Sequence, residues 1–305
     1  MQNYFVNLCN PFPVSPGEAW NRLFSQTMPA MALSNDNLLY SLLSMSATHL
    51  LREEGHHVDL FAARQSYLVA AMREQRRTLS SLNMDNADAV CFASLSTLIT
   101  SFAMLHERTL EPYEPPMEWL QLGRGAGTVI WRSVEAVLTS GDISKSAMMV
   151  IADSYPHFGR DESYFDPEMR LDFEGLLTQT LPSGDVWDED TREAYEKTLS
   201  YIGSIQKAIH RGEPVYAICR RLQAFALVIP PMFIELLGQQ RPRALAVLAH
   251  FFATVSQVHN VWWLGDNSET GETTAMREIR AINSVLPPEW SGTMVWPLDV
   301  SKLSR

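Results

Sequence analysis

Basic residues are scarce in this chain: 24 Lys and Arg stand against 35 Asp and Glu, a net charge of −11 over 305 residues. A surface of that sign repels phosphate backbones, so the chain is not expected to grip DNA or RNA by itself. Cysteine is nearly missing. Its three examples, Cys9, Cys91 and Cys219, are widely spaced and odd in number, and no C-x-x-C occurs. That excludes a disulfide scaffold and a cysteine zinc site, and it fits a reducing compartment. Strand signals are poor as well, with no convincing β-branched alternation and no hairpin dipeptide such as Asn-Gly. The N-terminus, MQNYFVNLCNPFPVSPG, has neither a basic region nor a long apolar stretch and does not read as a secretory signal. Charged residues are only 19% of the chain and hydrophobic ones 46%, which favours a large core over disorder. The expectation is a soluble, acidic, intracellular protein of the nucleus or cytoplasm.

Helical periodicity is what the chain has in abundance. Asn35-Asp36-Asn37 precedes Leu38, Leu39, Leu42, Leu43, Met45, Leu50 and Leu51, and Gly55 follows as a natural stop. Leu60, Ala63, Tyr67, Leu68, Ala71, Met72, Gln75 and Leu79 continue at spacings of three and four, with Arg73, Arg76 and Arg77 mostly outward. Asn86 is expected to cap a helix beginning near Ala87. After the stiff Glu111-Pro112-Tyr113-Glu114-Pro115-Pro116 loop, Trp119, Leu122, Val129, Ile130, Val134 and Leu138 make another stripe that ends at Gly141. Two uncharged runs, residues 89–105 and 244–265, are long enough to suggest membrane spans. Their serines, threonines, histidines and Gln257 point instead to central helices hydrogen-bonded among other helices. The fold class is all-α: a multi-helix, bundle-like domain.

Residues 153–198 hold 13 acidic side chains against four basic ones, most of the net charge. Prolines 156, 167 and 182 and glycines 159, 175 and 184 mark this stretch as loop with short helices. The organisation expected is one domain over 1–305, with helical halves of about 1–150 and 200–305 joined by an acidic segment, 151–199. A solvated connection explains that segment; an acidic partner-binding surface is the sharper reading.

Several motifs fail on inspection. Gly123-Arg124-Gly125-Ala126-Gly127 follows a helical stripe and lacks the Lys-Ser/Thr of a phosphate loop, so helix packing explains it better. There is no G-x-S-x-G and no H-E-x-x-H. Asp188-Glu189-Asp190 suits a helix start better than a magnesium site. His56-His57 sits at a helix junction, where a metal role has little support. No metal and no cofactor are expected.

Three segments, read together, resemble the C-terminal regulatory domain of fungal-specific zinc-cluster transcription factors, in particular the sterol-uptake-control-like branch. Residues 38–50, LLYSLLSMSATHL, are similar to that family's leucine-rich helix ending in Ser-Ala-x-His-Leu. Residues 226–253, ALVIPPMFIELLGQQRPRALAVLAHFFA, are similar to its proline-broken helix pair. Val261-Trp262-Trp263-Leu264, Pro288-Glu289-Trp290 and Val295-Trp296-Pro297-Leu298 follow the branch's ending. Weaker echoes lie at 86–92 and 119–125. The resemblance implies an all-helical ligand-binding domain that often dimerises and whose apolar pocket takes a sterol or another hydrophobic molecule. Two departures stand beside it. The family's six-cysteine DNA reader is not in this sequence. The polar stretch from Gly265 to Thr274 replaces a short aromatic turn and counts against inheritance of a sterol ligand.

The residues themselves suggest where a pocket would lie. On a helix read from 244 to 264, His250, Thr254, Gln257 and Val261 fall at i, i+4, i+7 and i+11, three of them polar on an otherwise apolar element. A buried polar stripe needs partners, either from neighbouring helices or from a ligand in a mostly apolar cavity. Trp262 and Trp263 fit a core or a stacking surface. Pro230-Pro231 interrupts its helix and gives Met232 and Phe233 a chance to project into a cavity beside Phe225.

Three readings follow. The first is a hydrophobic-small-molecule-binding regulatory domain that acts without its own DNA-binding module through a homodimer or another partner. The second is a cofactor-independent enzyme, a cyclase, pericyclase or isomerase of a polyketide or terpenoid in secondary metabolism. There His250 is the first candidate for proton transfer, with Asp153, Asp161 and His157 weaker. The third is a scaffold that only pairs with another protein.

Overall fold

The computed structural model describes residues 1–55, 57–158, 162–178, 187–265 and 271–303, and every regular element among them is helical. Two units divide the chain: Met1–Met104 with Leu122–His157, and Leu105–Gln121 with Phe158–Arg305.

The first unit holds α1 (Glu18–Arg22), α2 (Met28–Ala32), α3 (Asp36–Glu54), α4 (Val58–Leu79), α5 (Met84–Ala103), all but the first turn of α6 (Met117–Ser140), and α7 (Met149–Ala152). Their ends follow local chemistry. Extended Asn35 precedes α3, and Gly55 ends it at φ 72°. Gly141, at φ 78°, follows α6. The start of α5 differs from expectation. Asn83, not Asn86, is the capping residue, its side chain accepting from Asp85 N at 2.8 Å. Asn86 completes a reciprocal capping box by accepting from Asn83 N at 2.9 Å. Two asparagines three apart can each cap, and the box places the second inside the helix.

α3 packs against α4, and both meet α5. A polar thread crosses all three: Asn37 donates to Gln75 Oε1 at 2.8 Å, and Gln75 donates to Val90 O and Ser94 Oγ at 2.9 and 3.0 Å. The segment Met84–Glu107 is apolar and long enough to cross a membrane, yet most of it is buried within the fold. Its hydroxyls are satisfied locally, for Ser94, Thr97 and Thr100 each bond the carbonyl four residues back at 2.8–3.0 Å. The glycine-rich 123–127 segment lies inside α6, as helix packing requires and a phosphate loop does not.

The second unit holds α8 (Gly175–Thr178), α9 (Glu189–His210), α10 (Val215–Val228), α11 (Pro231–Gly238), α12 (Pro242–Val255), α13 (Thr274–Val285) and α14 (Val295–Leu303). Part of the acidic connection is docked, while Glu162, Asp166, Glu168 and Asp172 stay exposed. A 3₁₀ helix, Pro167–Phe173, lies on α9. Arg170 ties it down through Glu174 and Glu196, each at 3.2 Å. Gly203 permits the contact, because a Cβ there would run into the carbonyl oxygen of Met169. Pro230-Pro231 breaks α10 from α11 with a 77° bend, as expected. α12 is buried along nearly its whole length and packs against α9, α11, α13 and α14.

The helix expected over 244–264 is shorter: α12 stops at Val255. Side chains of its last turn compete for its carbonyls. Thr254 donates to Phe251 O at 2.7 Å, and Ser256 and Gln257 donate to Ala253 O at 2.9 and 3.0 Å. Gln257 and Val258 then bond only three residues back, Asn260 turns to φ 62°, and a 3₁₀ turn, Trp262–Leu264, follows. Val261 is therefore not on the His250 stripe.

Candidate functional site

The polar stripe of α12 consists of His250, Thr254 and, one turn beyond its end, Gln257. Gln257 meets Gln206 of α9 in a reciprocal amide pair, with Gln257 donating at 2.8 Å and Gln206 at 3.2 Å. Each amide thereby satisfies the other, as neighbouring helices can do for a buried stripe. Thr254, fully buried, spends its hydroxyl on its own helix.

His250 differs from these two. Its ring is stacked on Trp296 of α14, centroids 5.3 Å apart at 23°, and meets Phe173 edge-on at 5.4 Å. Nδ1 lies 2.8 Å from Ala246 O. A carbonyl only accepts, so Nδ1 carries the proton and Nε2 presents a lone pair. Burial pushes the imidazole pKa down to about 4, against a smaller opposing effect from the Ala246 carbonyl. The ring is neutral at pH 7, with Nε2 as its acceptor nitrogen. It is suited to accept a hydrogen bond from a neutral hydroxyl, and poorly suited to donate a proton.

The other candidate residues divide by burial. Phe225 is fully buried, stacked on Phe251 at 3.8 Å and parallel to Trp119 at 6.1 Å. Phe233 is also fully buried, edge-on to Tyr195 at 6.2 Å. Trp263 is buried in the core, whereas Trp262 and Met232 are only half-buried.

Two buried polar groups of this unit carry weak sequence signals. Arg243 is 1% exposed, with Trp187 at 4.5 Å, Trp290 at 5.4 Å and Tyr195 at 6.0 Å around its guanidinium, which also donates to Leu176 O. A single charge at the head of an apolar helix is the only hint of this. Glu278, fully buried on α13, accepts from Arg108 at 2.6 Å and from Tyr113 at 3.1 Å. Burial raises its pKa, against the opposing pull of Arg108. Nothing in the spacing links Glu278 to residues 170 positions earlier.

The minor candidates are placed as follows. Asp188 caps α9 by accepting from Thr191 N at 2.8 Å, and hydrogen bonds from Thr191 hold its pKa down. His57 caps α4 through Leu60 N at 3.3 Å. Asp153 ends α7, and exposed His157 meets Tyr155 edge-on. His56, Asp161 and residues 266–270 of the polar stretch lie outside the described residues.

Residues 1–149 match the family described as the fungal specific transcription factor domain. A Zn(2)-C6 fungal-type transcription factor of Aspergillus fumigatus is 31% identical over 245 residues, 78% of this chain and 62% of that protein. A Zn(2)-C6 fungal-type transcription factor of Gibberella zeae is 25% identical over 328 residues, 99% of this chain and 61% of that protein. Sterol uptake control protein 2 of Candida albicans is 22% identical over 268 residues, 82% of this chain and 35% of that protein. The chain thus spans less than two thirds of the length of each of these relatives. Over residues 1–149 the chain matches the fungal specific transcription factor domain, and along nearly its whole length it is similar to a Zn(2)-C6 fungal-type transcription factor.

Proposed function

We propose that this chain is a regulatory-type domain that binds a hydrophobic small molecule of sterol, terpenoid or polyketide size and works as a homodimer without gripping DNA itself. What supports the ligand reading is His250: a neutral buried imidazole whose Nδ1 is spent on Ala246, leaving Nε2 as its acceptor, with the ring stacked on Trp296 and edge-on to Phe173. A mostly apolar molecule bearing one hydroxyl would satisfy it. Phe225, Met232, Phe233, Thr254, Gln257, Trp262 and Trp263 are the other residues that the sequence puts forward for ligand binding. The name of the Candida relative, which concerns sterol uptake, is in keeping with a hydrophobic ligand. The polar stretch from Gly265 to Thr274 counts against inheritance of a sterol ligand. Two of the relatives matched are named transcription factors, and the enzyme reading is not carried further.

Native mass spectrometry and thermal-shift screening against such compounds should reveal a stabilising binder; at 100 times its Kd it adds about 2.7 kcal/mol. His250→Phe keeps the ring volume and removes both nitrogens. It should weaken a hydroxyl-bearing ligand by roughly tenfold while sparing its deoxy analogue. A broad apolar library without a binder, or a binder indifferent to His250→Phe, refutes this assignment.

A further inference from the structure

The outward face of α4 carries apolar side chains that a solvated helix does not need. Val58 is 82%, Val69 66% and Phe61 48% exposed. The two valines belong to a stripe, Val58, Ala62, Gln65, Val69, Met72 and Arg76, whose spacings of four, three, four, three and four keep one side of a helix in line. Ala62 and Arg76 are exposed as well, and Gln65 and Met72 are half-buried. The inward face is covered: Gln75 reaches Asn37, Val90 and Ser94, and Arg64 and Ala71 are buried.

Charge divides the two ends of this helix. Residues 53–63 hold Glu53, Glu54 and Asp59 and no Lys or Arg, whereas residues 70–81 hold Arg73, Arg76 and Arg77 against Glu74 alone. Glu74 is already shared, 2.8 Å from Arg73 and 3.8 Å from Arg77. Opposite charges at the two ends suit the helix's own dipole, but the dipole does not explain the exposed apolar stripe between them. A second α4 laid antiparallel explains both. The spacings read the same from either end, so about the level of Tyr67 the stripe is its own complement. Val58 opposes Arg76 of the second copy, Ala62 opposes its Met72, and Gln65 opposes its Val69. The same register sets Phe61 against Arg73 of the second copy and brings Asp59 beside Arg76 and Arg77 of that copy. Arg64 lies 4.9 Å from the centre of the Phe61 ring, and the exposed part of that ring is open to a second guanidinium. A patch that pairs with itself in this way closes as a two-fold dimer. We propose that the outward face of α4 is the dimer surface, two copies meeting antiparallel along it; this rests on the homodimer reading above and assigns its interface. From Val58 to Arg76 the seam is about 28 Å long. A helix pair of that length buries on the order of 1,000 Å², the lower edge of specific interfaces, so the dimer dissociates at about micromolar concentration.

Sedimentation equilibrium of the full 305-residue chain should show a monomer and a dimer whose dissociation constant rises with salt, because ion pairs close both ends of the seam. Val69→Glu puts a carboxylate into the middle of the seam and should weaken the dimer roughly tenfold or more. Val69 is exposed in the single chain, so the fold should be unharmed, which circular dichroism checks. Charge reversal tests the register. Asp59→Lys alone, and Arg76→Glu/Arg77→Glu alone, create repulsion at both ends and should each weaken self-association roughly tenfold. Mixed in equal amounts, the two variants regain opposite charges at both ends, and a heterodimer of near wild-type affinity should form. A dimer that none of these variants weakens, or reversed charges that mixing does not rescue, overturns this surface and leaves the homodimer reading standing. A chain that stays monomeric up to its solubility limit overturns both. Co-sedimentation of a monomeric chain with phosphatidylserine vesicles, lost in Val69→Glu, overturns the proposal too, because the face is then a membrane contact.

Discussion

Removing the guanidinium from Arg108 should be among the costliest single changes in this protein. Glu278 has 1% of its side chain exposed, and its partners are Arg108 at 2.6 Å and the Tyr113 hydroxyl at 3.1 Å. Arg108→Ala leaves a carboxylate in the interior with one neutral donor. Breaking a buried pair from one side in this way costs about 3–5 kcal/mol. At roughly 2 °C per kcal/mol for a chain of this size, the melting temperature should fall by about 6–10 °C. The pH dependence is a sharper test. Burial raises the folded-state pKa of Glu278, and losing Arg108 removes the main opposing pull. The fold therefore favours protonated Glu278. The penalty is present in full above the raised folded-state pKa, shrinks as pH falls through it, and is gone only below the unfolded value. Melting curves of wild type and Arg108→Ala should thus converge between pH 7.5 and pH 4.5. Arg108→Ala/Glu278→Gln should be more stable than Arg108→Ala alone at pH 7.5. A loss below about 1 kcal/mol, or a gap that does not change with pH, would refute the reasoning.

Two glycines should respond oppositely to the same substitution. Gly203→Ala places a methyl against the Met169 carbonyl and should cost about 1–3 kcal/mol, whereas Gly125→Ala, with open space around its Cβ position inside α6, should stabilise by about 0.4–1 kcal/mol; thermal melts of the two variants decide it. The 305-residue chain, with its charge of −11, should show no appreciable affinity for duplex DNA at physiological salt. Sequence-specific retardation at submicromolar protein would contradict that.

Where side chains act on their own backbone, the sequence was readable. Asn35 and Gly55 around α3, Gly141 after α6, and the Pro230-Pro231 break all mark real ends. The misreadings have local causes too. At α5, two asparagines compete for one cap, and only the reciprocal box shows which is outermost. At the end of α12, periodicity alone extends the helix through Trp263. There the backbone tightens to bonds three residues back and Asn260 turns to φ 62°, so α12 stops at Val255. The candidate site was legible as a polar stripe, but the different roles of its members were not. Gln257 is answered by Gln206, 51 positions away, and His250 is set apart by Trp296 and Phe173.

The sequence by itself determined the all-helical class, the acid excess, most helix ends and the apolar faces, because these follow from spacing, backbone preference and side-chain capping within a few residues. Only the tertiary structure decided which buried polar groups find partners. Arg108 reaches Glu278 across 170 positions, and Arg243 sits among Trp187, Trp290 and Tyr195. Periodicity says that a face is covered but not by which element, and desolvation and hydrogen bonding depend on that covering element.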